Sequence, residues 1–305
     1  MEPLPERPAS SAADEARAAI YLRYEDISQD GRLTLLGMPH TLGRVVWREI
    51  LARHALGTVR ERSGAISILT RLILDGDDEP IVINRPVEVI GAWQLAHART
   101  TAGDVDRIFL NLWSELRGQR GRGFGPPPPG AGEEVRVGRL FAEHVFTRLF
   151  AAPGARKVVR LDAPGLVEVP EPRWDWRPPA TAMALPIGAQ PLDALTADAV
   201  PLVFGLDHCD SNQHVNSLVY PRMFTDAALR RFAALGQPTR VLARRADVAF
   251  RKPCFAGDQV RIVMQAFTLD GRIGAAGCFV PEADVTAVAA EGGATAHCFV
   301  SMTFA

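Results

Sequence analysis

The sequence predicts an α+β protein built twice over, each half a long antiparallel β-sheet wrapped around a central α-helix. Three observations carry this. An apolar strand, an apolar helix and then a series of long strands occur in that order over residues 20–118, and the order returns over 200–304. The strands are rich in β-branched residues and separated by Gly- and Asp-containing turns. The 305 residues, 47% of them hydrophobic, suffice for two domains or one large one with a sizeable core.

Residues 1–18 read as a polar, Pro-containing mobile leader. A strand over 20–24, a turn at Gln29-Asp30-Gly31 and an apolar run over 33–36 lead to Met38-Pro39-His40-Thr41. From there Leu42, Val45, Val46, Ile50 and Leu51 recur at helical spacing, with Thr41 as N-cap and Gly57 as stop. Strands are expected over 65–74, 81–94 and 108–116, parted by the turns at Asp75-Gly-Asp-Asp78 and Thr101-Ala-Gly-Asp104. These elements make a first unit at 19–118.

Residues 119–197 read as a linker. Its Arg-Gly and Pro-Gly stretches cannot join a regular element, because Pro lacks a donor and Gly is costly to order. Arg117, Arg120 and Arg122 read as a solvated basic face, with an acidic carrier or a cofactor phosphate as the functional alternative. The spacing of Leu140, Phe141, Val145, Phe146 and Leu149 predicts a helix over 135–152, with His144 structural beside the stripe. Two short strands are expected over 157–169, and Trp174 and Trp176 read as a packing anchor on the domain seam. The second unit, 198–305, opens with a strand over 200–206. Its helix, 217–235, carries Tyr220, Phe224, Ala228 and Phe232 on one face, with Pro221 in the first turn and Gly236 as stop. Strands over 240–250, 259–269, 273–280 and 295–304 complete it, the last preceded by a turn at Glu291-Gly-Gly293.

Composition narrows the function classes. With 34 basic and 35 acidic residues the net charge is -1, and no basic stretch is interleaved with aromatics, so a nucleic-acid partner is not expected. Cys209, Cys254, Cys278 and Cys298 lack CxxC spacing, which fits neither a zinc site nor a disulfide framework and suits a reducing cytoplasm. No metal and no cofactor are expected. The first residues lack the apolar core of a signal peptide, and no apolar run reaches the roughly 20 residues of a membrane helix. A soluble, cytoplasmic protein without a membrane partner is the expectation.

The densest chemistry lies where the 200–206 strand hands over to the second helix: Asp210-Ser-Asn212-Gln-His214-Val-Asn216-Ser217, with Tyr220 shortly after. A carboxylate, an imidazole and carboxamides within seven positions suit acid–base work on a polarised carbonyl. Turn and cap formation is the structural alternative for Asp, Ser and Asn. The first unit has Met38-Pro39-His40-Thr41 at the start of its helix instead.

The stretch resembles the D-x-N-x-H-V-N signature, followed by a Tyr, of the acyl-ACP thioesterases. Phe250-Arg-Lys-Pro253-Cys-Phe-Ala-Gly257-Asp258-Gln-Val260 is similar to the strand and turn after the central helix in hotdog thioesterases. The likeness spans 200–262, and with the element order it implies two tandem hotdog folds in one chain. It further implies hydrolysis of an acyl thioester on an acyl carrier protein or CoA. Asp210 is then the base or nucleophile, His214 orients substrate or shuttles a proton, and Asn212 and Asn216 hold water or carbonyl. The N-terminus of the 217–235 helix is the oxyanion site. Ser217, Tyr220, Cys254 and His40 are expected on the substrate side, and an apolar groove between the two central helices would take the acyl chain. Cys209 and Cys254 are alternative nucleophiles, with small buried hydrophobes as the structural reading, and His208 could face the same seam.

One departure bears on the reaction. The Glu-Cys pair that the family carries downstream is replaced here by Pro253-Cys254. Either the first copy supplies more of the site, or the reaction is acyl transfer, decarboxylation, cyclisation or dehydration of a carrier-bound intermediate; a non-catalytic carrier-binding protein is the remaining reading. Met38-Pro39 resembles, more weakly, the double-hotdog acyltransferase/decarboxylases of polyketide pathways, which use a Tyr nucleophile. Tyr21 and Tyr24 are the candidates, although an aromatic in a strand belongs in a core by default. A chain holding two hotdogs can stand as a monomer or pair into a homodimer.

Overall fold

The computed structural model describes residues 3–9, 15–53, 56–285 and 295–305, and one twelve-stranded sheet runs through them. The first half contributes β1 (Ala16–Ile20), β2 (Ile66–Gly76), β3 (Val87–Arg99), β4 (Val105–Gln119) and β5 (Glu134–Thr147), in the order β1-β3-β4-β5-β2. The second half contributes three edge pieces, β6 (Gln190–Pro191), β7 (Thr196–Ala197) and β8 (Leu202–Val203), all paired with β10 (Gln259–Leu269). Its remaining strands are β9 (Ala243–Phe250), β11 (Arg272–Pro281) and β12 (Cys298–Phe304), in the order β10-β11-β12-β9. Each half thus has the same strand order, counted from its edge strand inward. The halves join antiparallel where β2 meets β9, with Ile73 opposite Asp247. Two tandem hotdogs, each an antiparallel sheet around a helix, are what the sequence leads one to expect.

The first central helix is built in three pieces: a π-helical stretch Leu42–Trp47, α1 (Arg48–Arg53) and α2 (Leu56–Ser63), running past the expected stop at Gly57. Val45, Val46 and Ile50 are buried with Leu72, Leu110 and Leu140 in one cluster. Gly91 of β3 permits the approach, because a Cβ there would lie 2.3 Å from Val46 Cγ2. The second helix, α3 (Val219–Ala234), is continuous. Tyr220, Phe224, Ala227, Ala228 and Phe232 form its buried face. Tyr220 meets Phe279 edge-on at 5.2 Å and Phe232 meets Phe304 at 5.3 Å, contacts worth about 1 kcal/mol each beyond burial. Gly236, at φ +66°, ends the helix by turning Gln237 N back onto Phe232 O at 2.8 Å.

The largest correction concerns 135–152, where a strand, β5, replaces the expected helix. Its inner side presents Leu140, Ala142 and Phe146 to the main core. Its outer side presents Phe141 to Trp113 and Trp174, with ring centroids 5.2 and 5.4 Å away. Burial on both faces erases the period of two, and a continuous apolar run cannot be told from a buried helix by spacing.

The cover on the outer face comes from the linker. Trp174 N bonds His97 O on β3 and Trp174 Nε1 donates to Glu143 Oε2 at 2.6 Å. Trp176 lies under Arg107, and a 3₁₀ segment Pro179–Met183 continues over the second half's sheet. The Trp anchor therefore sits on the outer face of the first sheet, not on a seam. Beneath this cover Arg71 of β2 and Asp247 of β9 form a bidentate pair, Nε to Oδ1 at 2.8 Å and Nη2 to Oδ2 at 2.5 Å, with side chains 6% and 9% exposed.

Smaller departures follow. β1 begins at Ala16, within the expected leader, and Pro5 O accepts from Trp113 Nε1. Among the described residues no strand occurs over 157–169, where only Lys157 bridges Thr147, and the 200–206 run is a strand only at Leu202–Val203. Tyr21 and Tyr24 are 66% and 83% exposed, outside any core. Arg117 pairs with Glu115 and Arg120 with Glu79 and Glu133. The Glu291-Gly-Gly293 turn lies outside the described residues. No described helix is long and apolar enough to cross a membrane.

Candidate active site

The motif forms a closed loop between β8 and α3. A 3₁₀ turn, Leu206–His208, brings the chain to Cys209, which bridges Val215 antiparallel. Between them Asp210 N donates to His214 O at 3.2 Å and Gln213 N to Asp210 O at 2.9 Å. Gln213 takes φ +65°, a left-handed conformation that a residue with a Cβ enters at a cost of about 1–2 kcal/mol.

The loop positions the carboxylate from both sides. Asp210 Oδ1 accepts from Asn212 N at 2.8 Å, and Oδ2 accepts from Asn216 Nδ2 at 2.9 Å. Asn216 Oδ1 accepts in turn from Leu218 N at 2.9 Å, so one side chain ties the carboxylate to the start of α3. Asp210, His214, Asn216 and Ser217 are half-buried and Asn212 is exposed, which leaves the loop open on one side. His214 Nδ1 lies 3.2 Å from Val215 O. A carbonyl only accepts, so Nδ1 is the donor in this contact.

The helix start is less generous with donors than its sequence suggested. Leu218 N is spent on Asn216 Oδ1, Val219 N on Asn216 O at 3.0 Å, and Pro221 has no N–H. The positive end of a sixteen-residue helix remains as a field. Asn212 Nδ2 and His214 are the loop side chains able to donate a hydrogen bond to a carbonyl oxygen.

Tyr220 and Cys254 back the loop instead of lining its open side. Val215 N donates to Cys254 O at 2.8 Å and Cys254 N to the Tyr220 hydroxyl at 3.3 Å, with Cys254 fully buried and Tyr220 3% exposed. Burial pushes the Cys254 thiol up to about 11 against the pull of its Tyr220 hydrogen bond, so it is not a thiolate at neutral pH. The turn carrying it is pinned to the strand before the motif, Gly257 N to Phe204 O at 2.7 Å and Phe204 N to Asp258 O at 3.1 Å. Cys209 is half-buried with its thiol directed at Gly205 O, and all four cysteines are free. His208 Nδ1 accepts from Gly205 N at 3.0 Å.

His40 belongs to a different group, in the first half among Asp26, Arg23 and Arg44, where burial first of all lowers its pKa. Val203, Leu206 and Phe255 form an apolar rim that the sequence reading missed, 59%, 83% and 51% exposed on the segments flanking the loop.

A chain of this architecture, with a polar loop at the head of one central helix, is a double hotdog protein. No family model matches it and no curated protein matches it. Solved structures do. It is similar to an acyl-ACP thioesterase from Bacteroides thetaiotaomicron, at 15% identity over 97% of this chain and 100% of that one, TM-score 0.57. It is also similar to the 12:0-ACP thioesterase of Umbellularia californica, at 12% identity over 95% of this chain and 94% of that one, TM-score 0.55. The chain has the hotdog fold of the acyl-ACP thioesterases along nearly its whole length.

Proposed function

We propose that this protein hydrolyses an acyl thioester carried on an acyl carrier protein or on CoA, at the loop that precedes α3. The observation that supports this best is the half-buried Asp210 carboxylate, held on one oxygen by Asn212 N and on the other by Asn216 Nδ2, on a loop that also presents His214. Asp210 acts as base on an attacking water or as nucleophile on the thioester carbonyl. As base, Asp210 passes the proton it takes from water by way of His214 to the departing thiolate; as nucleophile, it expels the thiolate and forms a mixed anhydride that water opens to free acid, while Asn212 Nδ2 and the field of α3 stabilise the oxyanion. The acyl chain leaves the loop across the exposed apolar side chains of Val203, Leu206 and Phe255.

A second reading, transfer instead of hydrolysis, is favoured by the Pro253-Cys254 pair where the resembled family has a Glu. Incubation with a panel of acyl-CoAs and acyl-phosphopantetheinyl carriers, following free thiol and product mass together, separates the two. Free acid appearing in step with thiol supports hydrolysis. Acyl mass gained by an acceptor without free acid replaces it with transfer, and no thiol release from any member rejects both.

A further inference from the structure

The first half contains a second copy of the motif loop, displaced in sequence from where its helix begins. Ile27 bridges Leu33 antiparallel after a 3₁₀ turn Tyr24–Asp26, as Cys209 bridges Val215 after Leu206–His208. The hydrogen bonds agree residue for residue. Ser28 N to Arg32 O (2.8 Å) matches Asp210 N to His214 O (3.2 Å), and Gly31 N to Ser28 O (3.0 Å) matches Gln213 N to Asp210 O (2.9 Å). Thr34 N to Asp26 O (2.8 Å) matches Asn216 N to His208 O (2.9 Å). Gly31 and Gln213 share the left-handed backbone, at φ +89° and +65°. In this register Ser28, Asp30 and Arg32 stand where the second half has Asp210, Asn212 and His214. The base is gone and a permanent cation replaces the imidazole.

Arginine collects around this copy. A cavity of about 160 Å³ opens on it, lined by Asp30, Arg32, Asp78, Pro80 and Arg122. Asp78 receives three guanidiniums: Arg32 at 3.1 Å, and from the second half Arg244 at 3.2 Å and Arg272 at 3.0 Å. Arg244 is fully buried, and its Nε makes no hydrogen bond. Arg122 reaches the cavity with no carboxylate in ion-pair range among the described residues. Arg32 is itself held by Asp30, Nε to Oδ2 at 2.7 Å, and Arg244 Nη1 by Leu33 O at 2.9 Å, so Arg122 is the guanidinium left to meet an anion. Planar forks of this kind match phosphate oxygens two at a time.

We propose that the Ile27–Leu33 loop is an anion-binding site for a phosphate group, in which Arg122 supplies the contact beside the paired Arg32 and the catalytic groups of its twin have been exchanged for charge. The site is separate from the Asp210 loop and stands or falls independently of the thioesterase reading. Titration calorimetry of the full chain with inorganic phosphate and with adenosine 3′,5′-bisphosphate, at constant ionic strength, distinguishes a free anion from a phosphate ester by which binds more tightly. Arg122→Ala, an exposed substitution, should weaken whichever binds at least tenfold, and Asp210→Asn should leave it unchanged. Absence of binding by either probe up to tens of millimolar overturns the proposal, as does binding that Arg122→Ala leaves intact or Asp210→Asn abolishes.

Discussion

His144 should make the fold sensitive to acid in a way that one substitution removes. It lies on the inner side of β5, fully enclosed, with its ring 5.2 Å from Trp47 in an edge-on contact and its Nδ1 without a hydrogen-bond partner. Burial lowers its pKa from 6.5 to about 4, against a weak opposite pull from the carbonyls of Leu110 and Ala142. The folded-state value lies below the unfolded one. Above pH 6.5 the ring is neutral in both states and its protonation costs nothing; as pH falls below 6.5 the unfolded chain gains a proton that the folded chain refuses until about 4. At 1.36 kcal/mol per pH unit, lowering the pH from 7.5 to 5 should therefore remove about 2 kcal/mol of stability through this side chain alone. His144→Phe keeps a ring against Trp47 and removes the titration. Urea unfolding of both proteins at pH 7.5 and 5 measures the effect, because every other group titrates alike in the pair. The wild type should lose about 2 kcal/mol more than the variant; parallel losses would show that His144 is not held neutral by burial.

Other expectations follow from the same geometry. Asp247→Ala strands the Arg71 guanidinium under the Trp174 cover and should cost about 3–5 kcal/mol in urea unfolding, whereas Arg71→Met with Asp247→Leu should be close to neutral. A double variant as unstable as the single one would contradict the view that the loss comes from an unpaired charge. Gln213→Gly relieves the left-handed strain and should gain up to about 1 kcal/mol, while Gly31→Gln, whose Cβ would meet Pro80 Cβ at 3.2 Å, should lose about 1–2. Equal effects at the two positions would argue against a shared loop geometry. Cys254→Ala should retain thioesterase turnover within about twofold at a stability cost of about 1 kcal/mol, and turnover falling with the thiol would restore Cys254 as a nucleophile.

Much of the fold is written in local patterns. β10 lies between the Gly257-Asp258 and Asp270-Gly271 turns, and its alternating pattern marks it to the residue. Likewise the apolar face of Tyr220, Phe224, Ala228 and Phe232 leaves no alternative to a helix. What spacing could not convey is burial by a distant segment. β5 is apolar on both sides because residues near Trp174 cover it, and that contact is absent from its own sequence. The geometry of the candidate loop was legible to a similar degree. Asp210, Asn212 and Asn216 do converge, since their spacing is that of a closed loop. The loop's twin escaped notice because Ser28, Asp30 and Arg32 keep the backbone pattern and exchange the chemistry. The residues that do precede the first helix, Met38-Pro39-His40-Thr41, lie outside that loop.

The reading of the Asp210 loop as the reacting centre rests most directly on one variant. Asp210→Asn retains an acceptor for Asn212 N but turns an NH2 toward Asn216 Nδ2, so the variant should stay folded at a stability cost of about 1–2 kcal/mol. Release of thiol from the best acyl thioester of the panel should nonetheless fall at least about 100-fold, as loss of a general base or nucleophile requires. Turnover within about twofold of the wild type, in a variant shown to be folded, would place the chemistry elsewhere in the molecule.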